Sequence, residues 1–191
     1  MDGMHEDHSQ EAPAQPRPKL SGLLAAVWGL GAIALLLIQA LWRLTPLAVE
    51  PLRSRQLTLA QAALYAAWVA VNAYAEGYRG FQKQFVPRCA ARARALAKAP
   101  TLLRALLAPA YCMSLFAAPR RRMIVSWTLL IAITMLVIIV KKLAQPWRGI
   151  IDGGVVVGLS WGLFALVIRS LRAIWRAAQG LDLEDAGIPT A

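Results

Sequence analysis

The run Met123-Ile-Val-Ser-Trp-Thr-Leu-Leu-Ile-Ala-Ile-Thr-Met-Leu-Val-Ile-Ile-Val140 holds eighteen residues without a charge. Arg120, Arg121 and Arg122 precede it, and Lys141 and Lys142 follow it. Its many β-branched residues would suit a buried strand pair in water. At this length and with no turn signal, a membrane-crossing helix is the better reading, because about 20 apolar residues at 1.5 Å each span the hydrocarbon of a bilayer.

Three further blocks resemble it. Between Lys19 and Arg43 lie twenty-three uncharged residues ending in Leu41 and Trp42, an interfacial anchor. The apolar region of a cleaved signal peptide is shorter, ~7–15 residues, so this block reads as a retained span. Between Arg55 and Glu76 lie twenty alanine-rich residues with Tyr65, Trp68, Asn72 and Tyr74, a composition that faces other helices rather than lipid. Between Arg148 and Arg169 the chain carries one acid, Asp152, with Trp147 and Trp175 near the two ends. The expectation is an all-α, polytopic helical bundle with about four spans, 20–42, 56–75, 123–140 and 149–168. It is flanked by a disordered tail over 1–19 and a C-terminal tail over 179–191.

The totals agree. Of 191 residues, 58% are apolar and 16% charged, against roughly 45–50% and 25% in soluble domains. Once four spans are drawn, little chain is left for a separate soluble domain. The net charge of +11 lies between apolar blocks, where Lys and Arg fix topology. Nucleic-acid binding, which interleaves basic residues with stacking aromatics on a folded platform, is not indicated.

Segment 76–122 is the expected cytoplasmic loop. It holds ten basic residues against the single acid Glu76, and this orientation puts fifteen Lys and Arg inside against six outside. Both termini then lie inside, and the alanine-, leucine- and arginine-rich composition suggests a bacterial inner membrane. Within the loop, Arg88 to Lys98 forms a helix candidate. Cys89, Ala93, Leu96 and Ala97 share its apolar side, and Arg88, Arg92 and Arg94 lie around the rest, an arrangement suited to resting on anionic lipid headgroups. The uncharged run Ala105 to Ala118, broken by Pro109, reads as an interfacial or re-entrant helical segment. A fifth span from Thr101 is the rival.

No catalytic constellation is present. The two histidines, His5 and His8, lie in the N-terminal tail, and the acids outside the tails are Glu50, Glu76 and Asp152. No metal, cofactor or enzymatic activity is expected, and Cys89 and Cys112 read as small apolar side chains. Asn72, Glu76 and Asp152 are the candidate intramembrane polar site, with Asp152 expected to pair with Arg148 at i−4. Gly154, Gly158 and Gly162, four apart, form a helix-packing groove whose partner helix belongs to this chain or to another. Gly77-Tyr78-Arg79-Gly80-Phe81 combines glycines, aromatics and charge as recognition loops do. Tyr78, Arg79 and Phe81 are therefore candidate contacts, together with Arg88, Arg92, Arg94 and Arg120–Arg122. The leading expectation is a non-enzymatic accessory or scaffold protein. It packs with a membrane partner or a second copy through the glycine helix and touches anionic lipid or a cytoplasmic protein through its basic loop. The alternative is a small oligomeric transporter or channel subunit using Asp152.

Overall fold

A computed structural model describes residues 20–55 and 57–178, with the side chains of all but 174 and 176–178. The two expected tails lie outside these residues. Among the described residues all regular structure is helical, and three helices are long and apolar enough to cross a bilayer. These are α1 (Leu20–Arg53), α6 (Arg120–Val140) and α7 (Trp147–Ala178). Three such helices in an all-helical bundle are compatible with an integral membrane protein.

Helix α1 does not stop near Arg43. It continues through Pro46 and Pro51 to Arg53. An internal proline costs ~3 kcal/mol in a helix because it removes an N–H and crowds the preceding turn. Here the carbonyl that Pro51 leaves without a donor, that of Leu47, accepts from the Gln145 side chain at 3.3 Å. Pro51 itself is fully buried, and its ring fills the space over Gly149. The break comes at the turn after Arg53, where Arg55 adopts φ 50°. Thr58 then caps the next helix in a capping box with Gln61.

The segment expected to be a span followed by a loop is one unbroken rod from Leu59 to Lys98. It consists of α2 (Leu59–Asn72), a π-helical segment (Ala73–Phe85) and α3 (Val86–Lys98). A thirteen-residue π-helix is unusual, since most π-helical geometry occurs as single-turn bulges. Pro87, which would break a helix in the usual reading, sits in the first turn of α3. There the bonding returns from i→i+5 to i→i+4 and one carbonyl loses its donor in any case. The Gly77–Phe81 stretch is therefore helical and not a turn.

Two five-residue helices follow, α4 (Leu102–Leu106) and α5 (Ala108–Cys112), with Pro109 in the first turn of α5. Each rises only ~7.5 Å, so the 101–118 run is not a continuous spanning helix. Trp28 Nε1 donates to the Leu106 carbonyl at 3.4 Å, and Gly29 lies against Ala108 and Cys112. The short helices thus pack on the first half of α1.

The core gathers at this end. Ala25 and Ile33 of α1, Val86, Cys89, Ala93 and Leu96 of α3, Ala108, Tyr111 and Cys112 of α5, and Leu166 of α7 are buried together. Helix α7 packs on both α1 and the rod, antiparallel to α1 and parallel to the rod. Helix α6 is different. Its first turns are tied to the preceding segment by Ser126 Oγ to the Met113 carbonyl and Trp127 Nε1 to the Leu115 carbonyl, both at 3.0 Å. Val140 is its only buried residue, and among the described residues no other helix packs closely along its length.

Candidate functional site

The rod and α7 join by large side chains entering glycine gaps. A Cβ placed on Gly154 would lie 2.6 Å from Trp68 Nε1 and 2.7 Å from Asn72 Nδ2. On Gly158 it would lie 3.1 Å from Glu76 Oε2, and on Gly162, 2.5 Å from Phe81 Cγ. Gly153 is closed in the same way by the Tyr65 ring, and in the reverse direction Gly77 of the rod receives Trp161 of α7. One turn of α7, Gly158 to Gly162, thus faces a five-residue step on the rod, Glu76 to Phe81. The wider π-helical turn takes up that extra residue and keeps the two helices in register. The α7 glycine face is filled from within the chain. The expectation that this face receives a partner protein gives way to an internal role, because no groove is left open along it.

Hydrogen bonds complete the seam. Tyr65 Oη donates to the Ala48 carbonyl at 3.2 Å, Trp68 Nε1 to the Ile151 carbonyl at 3.4 Å, and Trp161 Nε1 to Gln82 Oε1 at 2.7 Å. Asn72, buried, donates to its own i−4 carbonyl, Trp68 O, at 2.8 Å. Gln145, which nothing in the sequence singled out, is the clasp at the opposite end of the bundle from the core. Its amide nitrogen reaches Leu47 O and Glu50 Oε2 (2.9 Å), and its amide oxygen accepts from Gly149 N at 3.1 Å. One side chain thereby joins the end of α1 to the start of α7.

The three candidate intramembrane groups do not form one cluster. Asn72 and Glu76 share the rod–α7 seam. Asp152 lies nearer the start of α7, buried, with Oδ2 3.7 Å from Arg148 Nε. Glu76 rests against Gly158, which stands ten residues after Arg148 and eleven before Arg169, near mid-depth of the apolar stretch. The residue is partly exposed, with Oε2 turned toward Gly158, and it makes no ion pair among the described residues.

The basic residues divide. Arg92 points inward: Nε donates to the Tyr111 carbonyl, Nη2 to those of Phe116 (2.9 Å) and Ala117 (3.1 Å), and the guanidinium lies 3.9 Å from the Tyr111 ring centroid. It holds together a turn in which Ser114 and Ala117 have φ of 63° and 51°, so it is a structural residue and not a lipid contact. Burial lowers its pKa, and the nearby Arg104 and Arg122 add to that effect. Arg88 turns back to the Gln84 carbonyl at 2.7 Å, and Arg94 is half-buried. The apolar side of α3, expected to rest on lipid, is packed against α1 and α5. Arg79, Arg120, Arg121 and Arg122 remain exposed. Tyr78 stacks on Tyr74 at 5.9 Å beneath the Lys83 ammonium, and Phe81 faces Gly162 and Phe85.

Cys89 and Cys112 are buried free thiols. Burial raises both pKa values, that of Cys112 to about 11. Among the described residues no group of three His, Cys, Asp or Glu side chains is placed to hold a metal ion. No family model, curated protein or solved structure matches this chain.

Proposed function

We propose that this protein is a non-enzymatic membrane scaffold that crosses the bilayer four times and offers α6 to a helix of another membrane protein. The observation that carries the reading is the isolation of α6: after Arg120–Arg122 come eighteen uncharged residues, tied at both ends and, among the described residues, without close packing of another helix along their length. Exposed apolar surface on this scale marks either lipid contact or an interaction site. The chain's other two long apolar helices each spend part of their surface on internal packing. The fourth crossing is the α2–π rod, which runs parallel to α7 beside it.

The bases of α3, α4, the start of α6 and the end of α7 collect at one end of the bundle. By the positive-inside rule that end is cytoplasmic, in a bacterial inner membrane on our reading. Arg120–Arg122, exposed there, meet anionic headgroups at about 1 kcal/mol per basic residue. Transport through Asp152 is not required, since its carboxylate lies against Arg148.

The test replaces the exposed residues 128–139 with Leu and Ala in the full chain and keeps Ser126, Trp127 and Val140. Thermal stability in detergent should be unchanged, because the replaced residues are exposed and the ties at both ends of α6 are kept, while co-purification of the protein's membrane partners should be lost. An unchanged set of co-purifying proteins overturns the reading.

A further inference from the structure

Arg43 and Glu76 are opposite charges at a similar depth of the bundle, and neither makes an ion pair among the described residues. The Tyr65 hydroxyl marks one level on two helices, since it bonds the Ala48 carbonyl of α1 and abuts Gly153 of α7. Arg43 lies five residues before Ala48, and Gly158, which carries Glu76 against it, lies five residues after Gly153. The two helices are antiparallel, so both counts run toward the basic end, and both end about 7.5 Å below the tyrosine level. Each side chain is exposed, and neither makes an ion pair among the described residues, Arg79 beside Glu76 included. Within one chain α7 packs on both α1 and the rod, and the Tyr65–Ala48 bond is the direct link described between α1 and this part of the rod.

A charged side chain at hydrocarbon depth is costly unless paired or hydrated, and such residues face a bundle interior in most membrane proteins. Here each keeps part of its surface outside the bundle. An assembly symmetric about the membrane normal leaves every residue at its own depth, so two copies related in this way bring Arg43 of one to the level of Glu76 of the next. We infer that the chain self-associates in the membrane through an intermolecular Arg43–Glu76 ion pair between the α1 flank of one copy and the rod flank of its neighbour. This goes beyond the scaffold reading and does not involve α6.

The experiment uses complementary charge reversal in the full-length protein, with mass measured by light scattering in mild detergent and by energy transfer between labelled copies in vesicles. The native chain should be oligomeric, and R43E alone and E76R alone should each shift to monomer. An equimolar mixture of the two variants should reassemble, because each interface then regains one acid and one base. E76Q, which keeps the side chain's shape and removes only its charge, should lower association at least tenfold. A monomeric native protein, a mixture that stays monomeric, or E76Q associating as tightly as the native chain each overturns the inference. Substituting α6 should leave the oligomer intact, which separates this outcome from the scaffold test.

Discussion

Gly77 and Trp161 approach so closely that a Cβ on the glycine would fall 2.9 Å from the tryptophan Cβ. The rod and α7 therefore meet almost backbone to backbone, as small residues allow in membranes. Adding volume at this seam should separate the helices. Gly162→Val, driven into the Phe81 ring, is expected to cost ~1–3 kcal/mol, seen as a lowered melting temperature in detergent. Gly31, with nothing within 4 Å of its Cβ direction, is the control: Gly31→Ala should be neutral or should stabilise by up to ~1 kcal/mol.

Gln145 substitutes for a donor that Pro51 lacks. Gln145→Leu leaves the Leu47 carbonyl and the Gly149 N–H unpaired and should cost ~1–2 kcal/mol, because the site is only partly buried. In a Pro51→Ala background the loss should shrink, since the restored N–H at position 51 reclaims Leu47 O. A double-mutant cycle by chemical denaturation reads the coupling.

The turn before α6 carries its strain at Ala117, whose φ is 51°. Ala117→Gly should stabilise the fold by ~0.5–1 kcal/mol. Arg92→Gln removes the donor to three carbonyls and should destabilise by ~2 kcal/mol, a value reduced from the charged-bond range for partial exposure. Hydrogen exchange at residues 114–118 should speed up in the arginine variant and slow in the glycine variant.

Cys112 predicts a pH dependence. Burial lifts its folded pKa from the ordinary thiol value of 9.0 to about 11, so the folded state favours the protonated thiol. The associated stability is fully present below the unfolded pKa and is lost as pH rises from ~9 through the folded value. At pH 7.5 neither thiol should react with a maleimide in native protein, and both should react after denaturation. Rapid native labelling would contradict the buried placement.

The long apolar helices were legible because hydropathy over eighteen residues is a strong signal, and the Arg148–Asp152 pair followed from i, i+4 spacing. The apolar side of α3 also emerged from the helical wheel, although its contact is α1 and not lipid. The rod was not legible past Glu76. Gly77, Gly80 and Pro87 are helix breakers by propensity, yet Gly77 is there for Trp161, and Pro87 falls where the bonding pattern changes. Both facts depend on the neighbouring helix. The five-residue spacing from Glu76 to Phe81, against four on α7, was the trace the π-helical segment left in the sequence. Gln145 had no local signature, because its role is set by a proline ninety-four positions earlier.

Synthesis order gives the glycine seam a further consequence. Residues 59–85 leave the ribosome long before α7, so Trp68, Asn72, Glu76 and Phe81 enter the bilayer with the gaps that receive them not yet made. Until the last helix arrives, the insertion machinery or a chaperone must shelter those side chains. Nascent chains halted ahead of Trp147 are therefore the species most exposed to quality-control proteolysis.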